Sequence, residues 1–224
     1  MNSNLHSFIH LLFIGIIALL PVVNPFGSAF MVSPYLTPLN KKEKKTAVQK
    51  ITLYAFFICT ISLFAGHWIL ELFGLSIPVI QLGGGIMICK MGWEFLSSDK
   101  KSDEASAQQV ETDKIGGYAY IQDKLFYPIT FPVTTGAGTI SVLFTLSAHS
   151  ARTNMTDYFI NTGAILLAII FMCVLVYIFY LNTKRITNYL GSKGEVIINR
   201  ISAFLIFCVG LQIAITGITS LIKG

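Results

Sequence analysis

Hydrophobic residues in this 224-residue chain fall into long runs separated by short polar segments. A run of about 20 apolar residues is the length that a helix needs to cross roughly 30 Å of bilayer hydrocarbon. The sequence therefore predicts an all-α, polytopic membrane protein with six transmembrane helices, at approximately 8–36, 51–71, 77–97, 125–149, 157–182 and 201–222.

Two of the predicted spans contain helix-breaking residues near their middle. The first span carries Pro21 and Pro25 followed by Gly27, and the fourth carries Pro128 and Pro132 followed by two glycines. Proline removes a backbone donor and clashes with the preceding turn, so each span is predicted to be kinked or broken there. The alternative is that both spans carry the PxxxP pattern by chance, because proline kinks are common in membrane helices.

A second correspondence between the two halves of the sequence favours an internal duplication. Residues 81–86 align with 200–205 at an offset of 119 residues, against 107 for the proline pairs. Each unit contains an odd number of spans, so the second copy must be inverted relative to the first. We predict two inverted three-helix repeats, each with a broken first helix, at 1–97 and 125–224, joined by a cytoplasmic linker loop at 98–124.

Charged residues are scarce, and their positions predict the topology. They form 12% of the chain, against about 25% in soluble domains, while the mean hydropathy of +0.68 argues against a water-soluble enzyme. Of 16 Lys and Arg residues, 13 lie in the first, third and fifth loops and two on the other side. This bias predicts that those loops are cytoplasmic and that both termini lie outside. No basic face with interleaved aromatic residues remains, so nucleic-acid binding is not expected.

The broken spans predict a polar site inside the membrane, because unpaired backbone groups are costly in lipid unless protein, water or a ligand satisfies them. Free amides at the start of a resumed helix suit a carboxylate, and the carbonyls of the preceding half-helix suit an ammonium group. A small zwitterion would match both. The candidate substrate-binding residues are Asn24, Pro25, Gly27, Ser28, Pro132, Thr134, Thr135, Gly136, Gly138 and Thr139.

A few polar residues within or beside the spans are candidates for coupling or gating. Lys90 and Glu94 lie four residues apart in the third span, where an ion pair with snorkelling side chains is favoured over substrate binding or proton coupling. For Gln212, a hydrogen bond that holds neighbouring helices together is as plausible as a coupling role. Arg200 precedes the last span. No catalytic dyad, CxxC pair or His/Cys cluster is apparent, so neither an enzyme, a metal site nor a cofactor is expected.

Four segments of the sequence resemble motifs of the MarC family of bacterial six-span membrane proteins, which includes small neutral amino acid transporters. The segment Asn24-Pro25-Phe26-Gly27 looks like the family's (D/N)PxG motif. Residues 73–85 are similar to its FGIS…GG segment, residues 132–138 to its PLLAGPG segment, and residues 200–217 to its last span. The resemblance covers nearly the whole chain.

Three positions depart from the family pattern. Gln81 stands where the family often has arginine, Ala137 replaces the middle proline of its GPG, and Lys90 occupies a usually apolar position. If the family arginines orient substrate or close a gate, Gln81 makes the two halves less symmetric.

The resemblance and the breaks together predict an inner-membrane transporter or exporter of small neutral amino acids, of the glycine, alanine, serine and threonine class, working by alternating access. The alternative is a non-transporting membrane protein with a structural or regulatory role, whose breaks serve only helix packing. The expected partners are the amino acid and the lipid bilayer, and a homo-oligomer is left open.

Overall fold

A computed structural model of the chain describes residues 2–97, 117–150 and 155–223. Within these ranges the protein is all-helical, as predicted, and the predicted linker at 98–124 is described only from residue 117. The elements are α1 (Asn2–Val23), α2 (Pro25–Leu36), α3 (Lys41–Leu72), α4 (Ile77–Ser97), α5 (Gly117–Gln122), α6 (Leu125–Thr134), α7 (Ala137–Ser150), α8 (Met155–Leu181) and α9 (Thr183–Lys223).

Within the described residues, four segments are long and apolar enough to cross a membrane, and a bent pair adds a fifth if it is one span. The element at the predicted third span, α4, is not among these segments, and it carries Lys90 and Glu94. The four segments are His6–Leu36, Lys41–Gly66, Asp157–Leu181 and Arg200–Ile222, and the bent pair is Leu125–Thr134 with Ala137–Ser147.

The second predicted span is part of a longer helix, because α3 has a strong start signal in what was expected to be a loop. The Asn40 side chain accepts hydrogen bonds from the N–H groups of Lys42, at 3.0 Å, and Glu43, at 2.9 Å. The Glu43 carboxylate accepts one from the Asn40 N–H at 3.1 Å. This reciprocal capping box satisfies the first turn, so α3 includes most of the basic first loop. Helix α9 also begins within the fifth loop, at Thr183, but its backbone is interrupted at Gly191, where φ is 63° and ψ is 175°.

The three basic segments meet at one end of the helix bundle. The Lys44 ammonium donates a hydrogen bond to the Thr183 hydroxyl at 2.7 Å, which joins the start of α3 to the start of α9. The Lys50 ammonium lies 5.6 Å from the ring centre of Tyr118 in α5. The described parts of the first, third and fifth predicted loops therefore share one end.

The helices pack around one core that surrounds the two breaks. Helices α1 and α2 pack on α8, α3 packs on α6, α7 and α8, and α4 lies along α9. The outer faces remain apolar: Phe13, Ile17 and Trp68 are 58%, 68% and 71% exposed. A contiguous apolar exterior of this kind fits a lipid environment.

Helices α4 and α9 approach each other backbone to backbone, and the approach is reciprocal. A Cβ added at Gly85 would lie 2.5 Å from the Ala214 nitrogen and 2.7 Å from the Gly210 oxygen. A Cβ added at Gly210 would lie 2.5 Å from the Cys89 nitrogen and 2.8 Å from the Gly85 oxygen. Only glycine permits such contact, which is the usual way in which membrane helices pack closely.

A second glycine pair repeats this relation and fixes its register. Gly92 faces the backbone of Phe207, and Gly217 faces the backbone of Leu82. The two contacts are exchanged by an offset of 125 residues, which makes Gly92 equivalent to Gly217 and Leu82 equivalent to Phe207, and which also relates Gly85 to Gly210. The packing register therefore differs from the sequence alignment of 81–86 with 200–205 at an offset of 119. The alignment was drawn on residue types and could not detect backbone approach.

Candidate functional site

The first break is a single residue that caps the helix after it. Asn24 adopts a left-handed conformation, with φ 41° and ψ 65°, between α1 and α2. Its side-chain oxygen accepts a hydrogen bond from the Gly27 N–H at 3.1 Å, and its carbonyl accepts one from the Ser28 hydroxyl at 2.9 Å. A Cβ at Gly27 would lie 2.9 Å from the Asn24 Cγ, so glycine is needed there. The predicted break is confirmed, and its polar groups are largely satisfied locally.

The carbonyl end of this break keeps unpaired acceptors. Pro25 has no N–H to donate to the carbonyl of Pro21. The Gly27 N–H donates to the Asn24 side chain, so the carbonyl of Val23 loses its usual donor as well. The last turn of α1 therefore presents free carbonyls together with the negative end of the helix dipole.

The second break lies between α6, an irregular segment whose backbone is extended at Tyr127 and Phe131, and α7, and the two axes form an angle of 61°. Pro128 and Pro132 remove two donors within α6, and threonine hydroxyls supply others. The hydroxyls of Thr130, Thr134 and Thr135 each donate to the carbonyl five residues earlier, at 2.6, 2.8 and 3.2 Å. Two of these threonines were predicted to bind substrate. Their hydroxyls donate to carbonyls of α6, and their role in substrate binding stays a prediction.

The prolines occupy different places relative to the two breaks. Pro25 opens α2, directly after the break, whereas Pro132 lies inside α6. The equivalent positions are the capping residues, because the Asn24 carbonyl accepts from the Ser28 N–H at 2.9 Å and the Gly136 carbonyl accepts from the Ile140 N–H at 3.2 Å. Aligning the two PxxxP motifs therefore does not align the two breaks.

The start of α7 has no cap of its own. Within the described residues, the N–H groups of Ala137, Gly138 and Thr139 have no acceptor. The Thr139 hydroxyl is 0% exposed and also has no partner. Helical side chains lean toward the N-terminus of their helix, so this hydroxyl and the free amides lie at the same end of α7. An unsatisfied cluster of donors at the positive end of a helix suits an anion.

The two breaks lie against each other. Gly138 contacts α1 and α4, since a Cβ there would lie 3.0 Å from Val22 and 2.7 Å from Ile88. The uncapped start of α7 is therefore adjacent to the end of α1. The predicted grouping of residues from the first and fourth spans is present in the structure.

Tyr180 of α8 joins the two breaks and was missed in the sequence. It is fully buried, and its hydroxyl lies 2.8 Å from the Thr134 hydroxyl at the end of α6. The Ser28 hydroxyl near the start of α2 is its second hydrogen-bonding neighbour. A buried tyrosine hydroxyl usually needs a partner, which is the only signal the sequence contained. Nine tyrosines share that signal, so it does not select Tyr180.

A small cavity, here called the junction cavity, lies beside both breaks. Its walls come from the ends of α1 and α6 and from the facing sides of α3 and α8. They include Thr134 and Thr135 together with Met172, and its free space is about that of one water molecule.

The four candidate coupling or gating residues are exposed, and none of them lines the junction cavity. Lys90 and Glu94 form an ion pair at 3.7 Å, with side chains 71% and 62% exposed, as the favoured interpretation expected. The carbonyl of Gln212 accepts a hydrogen bond from Thr216 within α9. Gln81, which departs from the family pattern, is buried where α4 contacts Gly217.

Comparison with known proteins gives one family. The family model described as "MarC family integral membrane protein" matches residues 9–222. Relatives named inner membrane protein MarC occur in Salmonella typhimurium, at 26% identity over 214 residues, and in Escherichia coli O139:H28, at 26% over 217 residues. Each alignment covers 94% of this chain and 95% of the relative. No solved structure gives a significant match. The chain therefore belongs to the MarC family of integral membrane proteins.

Proposed function

We propose that this protein transports small neutral amino acids by alternating access around the junction of its two breaks. The observation that carries the proposal is the start of α7, where three backbone amides and the buried Thr139 hydroxyl have no acceptor among the described residues. Ala137 is exposed, but Gly138 and Thr139 are buried, and each buried donor left unpaired costs about 1–3 kcal/mol. A ligand that accepts these hydrogen bonds recovers that free energy.

The two breaks match the two ends of an amino acid. The carboxylate is assigned to the positive start of α7, at Ala137, Gly138 and Thr139. The ammonium group is assigned to the end of α1, where the carbonyls of Pro21 and Val23 lack their usual donors. Because Gly138 contacts Val22, these two regions are neighbours. The candidate therefore binds a small zwitterion, and the α-amino and carboxyl groups supply its charges.

The proposed architecture is six spans arranged as two inverted repeats. In support, packing contacts occur in related pairs: the first span packs on α8, and the broken fourth span packs on α3 in the same way. The reciprocal glycine contacts of α4 and α9 have the same two-fold character. In this arrangement α4 crosses the membrane as the third span, although it is not among the four segments that are long and apolar enough. Inverted repeats of this kind support alternating access around a central site.

The proposed orientation places the shared basic end of the bundle in the cytoplasm and both termini outside. The positive-inside rule supports this assignment because Lys44, Lys50 and Lys184 belong to that end. The bacterial inner membrane is the proposed location, since the relatives are named as inner membrane proteins.

Ligand-dependent thermal unfolding in detergent and flux in proteoliposomes test the function. At least one of glycine, alanine, serine and threonine should stabilise the purified protein and cross the membrane, whereas glutamate and lysine should do neither. Gly136→Leu should abolish flux without preventing membrane insertion. Gly83→Leu is a matched control, because a Cβ at Gly83 meets nothing within 4 Å. A correctly folded protein with neither stabilisation nor flux for any small amino acid would overturn the proposal.

A further inference from the structure

The junction cavity is the unexplained feature nearest to the proposed binding site. It touches Leu19 and Val23 at the end of α1, next to the carbonyls assigned to the ammonium group. It also touches Thr134 and Thr135, directly before the second break. A group attached to a ligand held between the two breaks therefore has this cavity beside it.

The chemistry of the cavity wall is apolar despite its two threonines. The Thr134 hydroxyl donates to the Ile129 carbonyl at 2.8 Å and bonds to Tyr180, and the Thr135 hydroxyl donates to the Thr130 carbonyl at 3.2 Å. The single donor of each hydroxyl is therefore already used, and only acceptor capacity remains. The remaining lining is aliphatic or sulfur-containing, including Met172. A charged or amide group placed there would lack partners and would pay a desolvation penalty.

The size of the cavity limits what it accepts. Its free space is close to that of a single water molecule, which fits a hydrogen atom or a methyl group. Ala55 on α3 and Met172 on α8 both line the cavity and are 2% and 3% exposed, so each is packed into the core.

We propose that the junction cavity is the side-chain subsite of the transported amino acid, selecting glycine and alanine, with Ala55 and Met172 as specificity-determining residues. This inference rests on the proposed transport function. It places alanine above serine, because a serine hydroxyl there would find no free donor and only threonine oxygens as acceptors. It also excludes valine and leucine by volume.

Competitive flux of glycine, alanine, serine and valine in proteoliposomes tests the subsite. Met172→Ala enlarges the cavity and should raise valine flux relative to alanine by about 10- to 200-fold, the usual value of a small volume change in an apolar pocket. Met172→Leu keeps the volume and should keep wild-type selectivity. Ala55→Val fills the cavity from the other side and should lower alanine flux while retaining glycine flux.

The outcomes separate the two proposals. If the wild-type protein transports amino acids but both Met172→Ala and Ala55→Val keep its selectivity, the subsite is overturned and the transport function is retained. Serine transported better than alanine by the wild type would also overturn it. No flux of any amino acid by folded wild-type protein would overturn the transport function, and the subsite with it. If Met172→Ala does not fold, Ala55→Val decides alone.

Discussion

Two buried threonines on either side of the second break provide a direct test of the carboxylate assignment. Thr134 and Thr139 are 1% and 0% exposed, so the two sites are equally removed from solvent. The Thr134 hydroxyl makes two hydrogen bonds, whereas the Thr139 hydroxyl makes none among the described residues. Replacing each by valine removes the hydroxyl and keeps the shape. The two variants should therefore differ in sign.

The expected magnitudes follow from the partners of each hydroxyl. Thr134→Val loses a bond to the Ile129 carbonyl and a bond to Tyr180. At roughly 0.6 kcal/mol each, and at most about 1.7, these losses should destabilise the protein by about 1–3 kcal/mol. Thr139→Val removes an unsatisfied buried hydroxyl and should stabilise the ligand-free protein by about 1 kcal/mol.

Ligand binding should respond in the opposite direction at Thr139. If its hydroxyl donates to the substrate carboxylate, the valine variant loses a charge-assisted hydrogen bond of about 1.5–3 kcal/mol, or roughly 10- to 150-fold in affinity. Denaturing-detergent titration measures the unfolding free energy, and thermal shift with alanine measures binding. Equal destabilisation by both substitutions, or unchanged alanine binding in Thr139→Val, would refute the reasoning.

Three further substitutions test other parts of the structure. Tyr180→Phe should lower the unfolding free energy by about 1–2 kcal/mol and slow flux, because it removes the hydroxyl that joins the breaks, while Tyr177→Phe on the same helix should change neither. Gly85→Ala should lower the free energy of unfolding by about 1–3 kcal/mol because it pushes α4 away from α9. Gly83→Ala should leave that free energy unchanged or raise it slightly, and unfolding in denaturing detergent measures both. Glu94→Gln should leave flux and stability unchanged, since it removes only an exposed ion pair, and altered flux would restore this residue as a coupling candidate.

The fold class and the existence of both breaks were predictable because they depend on local chemistry. Runs of apolar residues predict helices of membrane length, and proline removes a donor wherever it occurs. The starts of the helices were less accessible. Asn40 and Glu43 form a capping box inside a lysine-rich segment that reads as a loop by charge alone. The capping residues predict a helix start, whereas the lysines predict a cytoplasmic loop, and both sets of residues lie within or at the start of α3.

The roles of individual site residues were predictable only in part, because they depend on tertiary partners. Thr134, Thr135 and Thr139 look alike in the sequence, but two of them bond to carbonyls of α6. Only Thr139 is left with a free hydroxyl. Tyr180 comes from a helix with no break and has no motif. Its position between Ser28 and Thr134 arises from the packing of α8 against both halves.

The two breaks share a sequence motif but differ in the one property that matters for binding. Asn24 caps its own helix, so the first break retains few free donors and mainly offers carbonyls. Gly136 occupies the equivalent place before α7 and has no side chain with which to cap it. A pair of identical breaks would bind two identical groups. Because one break is capped and the other is not, the junction has a donor side and an acceptor side, and under the proposed function that polarity would fix the direction of a bound zwitterion.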